Sequence, residues 1–462
     1  MKLKFLILLG ILCDHFAFAQ NDTTAQAQSE SSSTKESIVK DGWNFGGIPA
    51  VSYDADRGFM YGVITNLYHY GDGSRYPQYD HSLYLELVRY TGGTTNLEFQ
   101  YDSDKLFKGL ITTANLCYKV ESLYQFYGFN GYQSVYNESW TNRDSEDYFS
   151  RAFYNYDRRQ IRARFNFQGN LVGEKLRWQA GIGFQAFHIS PFDAESYNDR
   201  KDDDKQIDPS HQTLLELYQE AGIISTEEAD GGNIPAINGG FIYDSRDFPT
   251  IPQKGIWAVS NLEWIPNILG AEGGFARLGL SYSQYVKLVN QHILTFAYRV
   301  AWQGTLWGEA PFYYTTQWVN PDTKGATKEG LGGSTSLRGI LRNRIIGSDI
   351  AYGNFELRSR FLNFQFIKQN FFLGANVFCD MGKVTRSTTI NSNKDFDYTT
   401  LDLPSNNKND YFSNTPDKWH YSYGAGLKVG MNDNFVISLD YGMAADKRDG
   451  NSGFYMEIDY LF

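Results

Sequence analysis

Three cysteines in 462 residues are too few for a disulfide framework. Beyond the amino terminus no apolar stretch approaches 18 residues, which excludes a helical membrane protein, because a spanning helix needs about 20 apolar residues. A membrane strand needs only about ten. Basic charge is also in deficit: 42 Lys and Arg against 53 Asp and Glu leave a net charge of -11, a poor match to nucleic acid. None of His69, His81, His188, His211, His292 and His420 lies in a Gly-x-Ser-x-Gly or His-Glu-x-x-His context, and the cysteines offer no zinc set. The expectation is therefore a protein without catalytic residues, metal or cofactor. What is abundant is 44 Gly with 33 Phe, 33 Tyr and 9 Trp, against 12 Pro, a composition unlike that of Leu-rich soluble domains.

Lys2 and Lys4 precede the apolar run Phe5 to Cys13, and Ala17-Phe18-Ala19 has the small-x-small pattern of a cleavage site. Residues 1–19 are expected to be a secretory signal peptide, with Gln20 beginning the mature chain. A lipid anchor on Cys13 is the alternative, disfavoured by the bulky Leu12 before it. Removal of the leader leaves Cys117 and Cys379, both in strand-like segments and expected to be buried free thiols. Residues 20–42 are polar enough to be a disordered periplasmic tail.

From Trp43 onward the dominant period is two. Arg158, Gln160, Arg162, Arg164, Asn166 and Gln168 share one face, opposite Arg159, Ile161, Ala163, Phe165 and Phe167. Leu294, Phe296, Tyr298, Val300 and Trp302 likewise alternate with Ile293, Thr295, Ala297, Arg299 and Ala301. Soluble sandwiches and membrane barrels share such alternation, differing in which face meets the outside. Connection lengths separate them. Sixteen strands are expected near 43–54, 58–70, 81–91, 94–102, 108–119, 156–168, 176–190, 235–244, 254–265, 274–287, 291–303, 348–361, 370–382, 419–430, 434–443 and 453–462. The four longest connections, 120–155, 191–234, 304–347 and 383–418, all follow odd-numbered strands. Long loops outside and short turns inside are the pattern of a bacterial outer-membrane barrel. The expected fold is an all-β, sixteen-stranded antiparallel transmembrane β-barrel over residues 43–462. Its closing strand sets Phe454, Met456, Ile458, Tyr460 and Phe462 on one apolar face.

Three motifs in the second half carry a family resemblance. Gly332-Gly333-Ser334-Thr335-Ser336-Leu337-Arg338-Gly339-Ile340 follows the eleventh strand, Asn354-Phe355-Glu356-Leu357-Arg358 lies in the twelfth, and Phe378-Cys379-Asp380-Met381-Gly382 in the thirteenth. Tyr243-Asp244-Ser245-Arg246-Asp247 with Pro252 and Gly255 marks a turn between the eighth and ninth. The chain resembles the BamA/TamA family of outer-membrane assembly barrels, the bacterial surface antigen family. The resemblance implies a sixth extracellular loop folded into the lumen, with Leu337, Arg338, Gly339 and Ile340 at its tip. It also implies that Arg338 pairs with Glu356 and Asp380, beside the strand-thirteen motif Phe378, Asp380 and Gly382. The residues themselves permit that pairing, since period two turns both carboxylates inward and a guanidinium fork suits several of them. Unpaired lumen charge is the other reading open to them.

Members of the family insert or translocate outer-membrane proteins through a weak junction of first and last strands. Gly46, Gly47 and Pro49 weaken the first strand of this chain, because Pro donates no ladder hydrogen bond, and Phe462 is expected across the seam. Gly-Gly-x-Pro as a plain strand entry is the alternative. The roughly 22 residues from Asn21 to Gly42 are too few for one polypeptide-transport-associated (POTRA) domain, so the expectation is a barrel-only, accessory member. Its expected partners are outer-membrane lipid, lipopolysaccharide and the proteins of an envelope assembly complex, with no nucleic acid. A passive or ligand-selective pore and a surface-binding barrel are the rival functions. Arg158, Arg162, Arg164, Arg277 and Arg299 read as lumen wall, and Asp202 to Asp204 as loop chemistry open to calcium.

Overall fold

The computed structural model describes residues 40–462 apart from 77, 200–201, 203–205, 249–250, 272, 290–293, 320–328, 367–368, 391–395, 432–434 and 459. The expected signal peptide and nearly all of the expected tail lie outside the described residues, as do Asp203 and Asp204 of the acidic run. The chain runs through β1 (Trp43–Asp54), β2 (Gly58–His69), β3 (His81–Tyr90), β4 (Thr94–Phe107), β5 (Leu110–Gln125) and β6 (Asn155–Val172). Then follow β7 (Leu176–Ser190), β8 (Gly231–Asp244), β9 (Gly255–Ile265), β10 (Phe275–Val289) and β11 (Leu294–Trp307). The last are β12 (Asp349–Phe366), β13 (Gln369–Arg386), β14 (His420–Met431), β15 (Phe435–Ala444) and β16 (Ser452–Ile458). Each strand pairs antiparallel with its neighbour in sequence, and β1 with β16, to close a sixteen-stranded barrel. Because antiparallel neighbours alternate ends, the four longest connections, after β5, β7, β11 and β13, all leave the same end of the barrel, so the parity seen in the sequence is real geometry.

The faces are inverted relative to a soluble protein. On β4, Asn96, Glu98 and Gln100 are buried while Leu97 and Phe99 point outward and are exposed. On β6, Arg158, Gln160 and Arg162 are buried and Ile161 is exposed. Arg158, Arg277, Arg338, Arg344 and Lys119 are among the largest fully enclosed side chains. Burying such groups is costly unless each finds polar partners, so the lumen has to be a connected network. An exposed apolar belt of this extent matches a hydrocarbon surround, where alternate residues meet lipid and lumen.

Among the described residues, two of the interior's four apolar clusters bear on the long-loop end. At the long-loop end, aromatic residues from 126–154, 191–230, 308–348 and 387–419 form a dome. Phe126 meets Tyr218 edge to face at 5.2 Å, Trp140 lies 5.4 Å from Tyr411, and the rings of Tyr398 and Tyr411 stack. The short helix Leu214–Glu220 enters the dome, started by a capping box of Thr213 and Glu216. Below it a smaller cluster gathers Leu331, Leu337, Ile340, Ile345, Ile350, Tyr352 and Val384.

Two expectations are corrected. Cys117 is buried, but Cys379 is exposed, because it alternates with the inward Phe378 and Asp380 and so faces out. The closing strand is also shorter than expected. Phe454 and Ile458 keep to the outward face, whereas Tyr460 and Phe462 leave it and stack on lumen arginines. Phe462 is therefore not a seam residue in this structure: its ring lies in the lumen against the guanidinium groups of Arg299 and Arg358.

Candidate functional site

The described residues 329–346 of the connection after β11 run inside the barrel, and their tip lies across the inner wall. Arg338 donates from Nε and Nη2 to the two oxygens of Asp380 at 3.0 and 3.1 Å, and its backbone N–H donates to the same carboxylate at 3.1 Å. Nη1 lies 2.7 Å from Glu356 and 3.2 Å from Asp440. The guanidinium also covers the Phe378 ring, with Cζ 3.5 Å from its centre. One side chain thereby ties the loop to β12, β13 and β15. Arg358 and Lys428 bind the far sides of Glu356 and Asp440, both at 2.7 Å, so three cations face three carboxylates. The expected partners Glu356 and Asp380 are both brought to Arg338. Asp440 was not expected, although period two turned it inward.

The spacing of the strand-thirteen motif follows from this seat. Phe378 carries the guanidinium, Asp380 binds it, and Gly382 makes room for the adjoining Leu337: a Cβ at 382 would stand 2.7 Å from Leu337 Cδ1. Gly382→Val is expected to cost about 1–3 kcal/mol by overpacking, read as a lowered thermal midpoint in detergent. Adding Leu337→Ala should recover part of the loss. Gly339, at φ 93°, presses on the backbone of Gly442, where a Cβ would come within 2.5 Å. Ile340 is fully buried in the small apolar cluster.

The same loop touches both sides of the seam. Ser334 Oγ donates to Asp54 of β1 at 2.7 Å, and the Gly339 N–H donates to the Tyr455 hydroxyl of β16 at 3.1 Å. Those strands meet there. Among the described residues, β1 and β16 pair at Tyr53↔Met456 and Asp54↔Tyr455, with a further bond from Ser52 Oγ to the Met456 carbonyl. By contrast β1 pairs with β2 along its whole length, Gly46, Gly47 and Pro49 included. From Trp43 to Val51 the other edge of β1 carries no described ladder partner, and Trp43 and Phe45 are exposed. Among the described residues the seam is clasped at the long-loop end and unpaired toward the short-turn end.

A second anchor escaped sequence reasoning. Glu329, at the start of the inward segment, lies 2.6 Å from Lys119 and also binds Arg158. Arg342, beyond the tip, reaches Glu121 at 2.8 Å. Arg158 thus joins a loop-holding network rather than a plain wall. Arg344 completes the attachment by donating to the carbonyls of Gly131 and Ser134, both at 3.0 Å. Where the loop meets the β1–β2 turn, Asp56 accepts from the Arg342 N–H at 3.3 Å. Burial, and then the neighbouring Asp54 charge, push the Asp56 carboxyl up to about 7. In the dome Asp417 accepts from His420 Nε2 at 2.9 Å. Burial would raise that carboxyl, yet the His420 contact and two backbone N–H donors hold it below its ordinary value.

Residues 92–462 match the model of the Omp85 superfamily domain. The chain belongs to the Omp85 superfamily. No curated protein matches it by sequence. Among solved structures, this Omp85 barrel is similar to BamA from Haemophilus ducreyi lacking POTRA domains 1-3, at 16% identity and a TM-score of 0.52. It covers 91% of this chain and 70% of that one. It is also similar to CdiB from Escherichia coli, at 10% identity and a TM-score of 0.53, over 92% of this chain and 64% of that one. The chain therefore spans about two thirds of the length of these two proteins. At such identities the likeness is one of fold, and the loop and seam geometry of the Omp85 barrel stand on its own residues.

Proposed function

We propose that this Omp85 barrel inserts or passes other outer-membrane polypeptides at the β1–β16 seam, as a non-catalytic, accessory subunit of an envelope assembly complex in the bacterial outer membrane. The observation that carries the proposal is the incomplete seam: an unpaired strand edge is a template on which an incoming strand can add its own ladder. Ten or so backbone groups left open on β1 are offset when a client strand pairs with them, and hydrocarbon makes that exchange stronger than it is in water. The inward loop supplies the complementary part, a clasp that keeps the barrel whole while one half of the seam stays open. The apolar outer belt fits contact with outer-membrane lipid and lipopolysaccharide.

A passive pore fits the interior less well. The dome and the inward loop lie over a lumen chamber of about 490 Å³ lined by Arg299, Trp318, Arg338 and Tyr352, so the described residues occupy the route a solute would take. The test is reconstitution. Vesicles carrying the barrel should speed the insertion of an unfolded client barrel severalfold over vesicles carrying a closed barrel of similar size. A steady ion conductance with no acceleration would overturn the reading in favour of a pore.

A further inference from the structure

The segment beyond β16 does not continue along β1. Tyr460 and Phe462 turn into the lumen, where the Phe462 ring lies 5.1 Å beneath the Arg299 guanidinium and 4.7 Å from that of Arg358. Arg358 also covers Tyr460 at 4.3 Å, and its Nη2 donates to the main-chain oxygen of Phe462 at 2.9 Å. Tyr285 closes the pocket, 6.2 Å from the Phe462 ring. Arg358 is buried, and its Nη1 has no hydrogen-bond partner among the described residues. Two arginines facing two aromatic rings at the edge of the lumen chamber make a ligand site by their chemistry: each ring offers a negative face to a weakly hydrated planar cation.

We propose that Arg299, Arg358 and Tyr285 form a binding site for an aromatic strand end, and that its resident occupant is the chain's own segment Tyr460–Phe462. The occupant has a second place to go. Continuing the register Tyr53↔Met456 and Asp54↔Tyr455 sets Tyr460 opposite Pro49, Leu461 opposite Ile48 and Phe462 opposite Gly47. Occupation of the pocket and completion of the seam therefore exclude each other, since one segment cannot do both. Pro49 tilts the balance toward the pocket, because it has no N–H for the partner strand to use. The pocket retains the segment, and retention keeps the β1 edge free. The site stands on its own geometry; its consequence for client insertion rests on the function proposed above.

The test uses the full chain with Cys117 and Cys379 replaced by serine and with Ile48→Cys and Leu461→Cys added, so that a disulfide forms when the segment lies on β1. Mild oxidation of the parent should cross-link a small fraction. Arg299→Gln with Arg358→Gln should raise that fraction severalfold, and Phe462→Ala, which leaves the wall intact, should do the same. An equal fraction in all three overturns the proposal, and agreement between the wall and segment variants guards against a folding artefact. Insertion rates measured on the same samples separate the two ideas. A raised cross-link with slower insertion supports both, whereas a raised cross-link with unchanged insertion upholds the pocket and removes the gate.

Discussion

Arg338→Ala should release the inward loop and destabilise the barrel by about 3–5 kcal/mol, the usual cost of removing one partner from a buried ion pair. The magnitude follows from what is left behind. Asp380, Glu356 and Asp440 are each at least nine-tenths buried, and loss of the guanidinium removes hydrogen bonds at 3.0 and 3.1 Å from Asp380 and a contact at 2.7 Å from Glu356. Three cations facing three carboxylates become two facing three, in a wall where water cannot fully replace the lost donors. The loop then loses its hold on β12, β13 and β15 together. The effect should reach the seam, since Gly339 and Ser334, on either side of Arg338, are the residues that bind β16 and β1. Protease cleavage within 308–348 and a lowered thermal midpoint in detergent are the measurements. Arg338→Lys should fall between, because one ammonium keeps the charge but not the fork that binds both Asp380 oxygens. Equal protection and an equal midpoint in Arg338→Ala would show that the loop is held by packing and by the Glu329–Arg342 network instead.

Much of this architecture was legible because a barrel in hydrocarbon obeys a stricter rule than a soluble fold. Each strand must separate lipid from lumen residue by residue, so Leu97 and Glu98, or Ile161 and Arg162, announce their faces in sequence. Strand ends were less visible. β4 runs to Phe107 and β12 to Phe366, beyond the residues expected, because ladder pairing continues past the point where the alternation fades. The meeting of Arg338 with Glu356 and Asp380 came from the resemblance, because spacing turned both carboxylates inward but only permitted the pairing. Nothing comparable marks Glu329 and Arg342. They lie in a loop without periodicity, and their partners Lys119, Glu121 and Arg158 are more than a hundred residues away, so only the closed barrel brings them into contact. The fate of Phe462 was hidden for another reason. Alternation assigns it to the outward face, and the pocket that captures it is built from β10, β11 and β12, whose positions relative to the last strand appear only when the sheet closes.

A disulfide between Tyr53→Cys and Met456→Cys, in a background with Cys117 and Cys379 replaced by serine, should reduce client insertion by at least about tenfold, and reduction of the bond should restore it. The two positions face each other at the one described stretch where β1 and β16 pair, and the outward Tyr53 side chain is away from the clasp. The bond therefore changes no lumen contact made by Ser334, Gly339 or Arg338. What it removes is separation. On the proposed function, an incoming strand pairs with the free edge of β1 while the seam is clasped, and its transfer into the membrane requires β1 and β16 to part at their remaining contact, since a client held between them must leave sideways. The loss should therefore appear in the rate of insertion rather than in capture: client bound to the locked barrel should equal client bound to the reduced one. Full insertion by the locked barrel would confine the activity to the unpaired half of β1 and assign the clasp a purely structural role. Combining the lock with Phe462→Ala separates the steps further, because freeing the segment to cover β1 should block capture whether or not the far end of the seam can open.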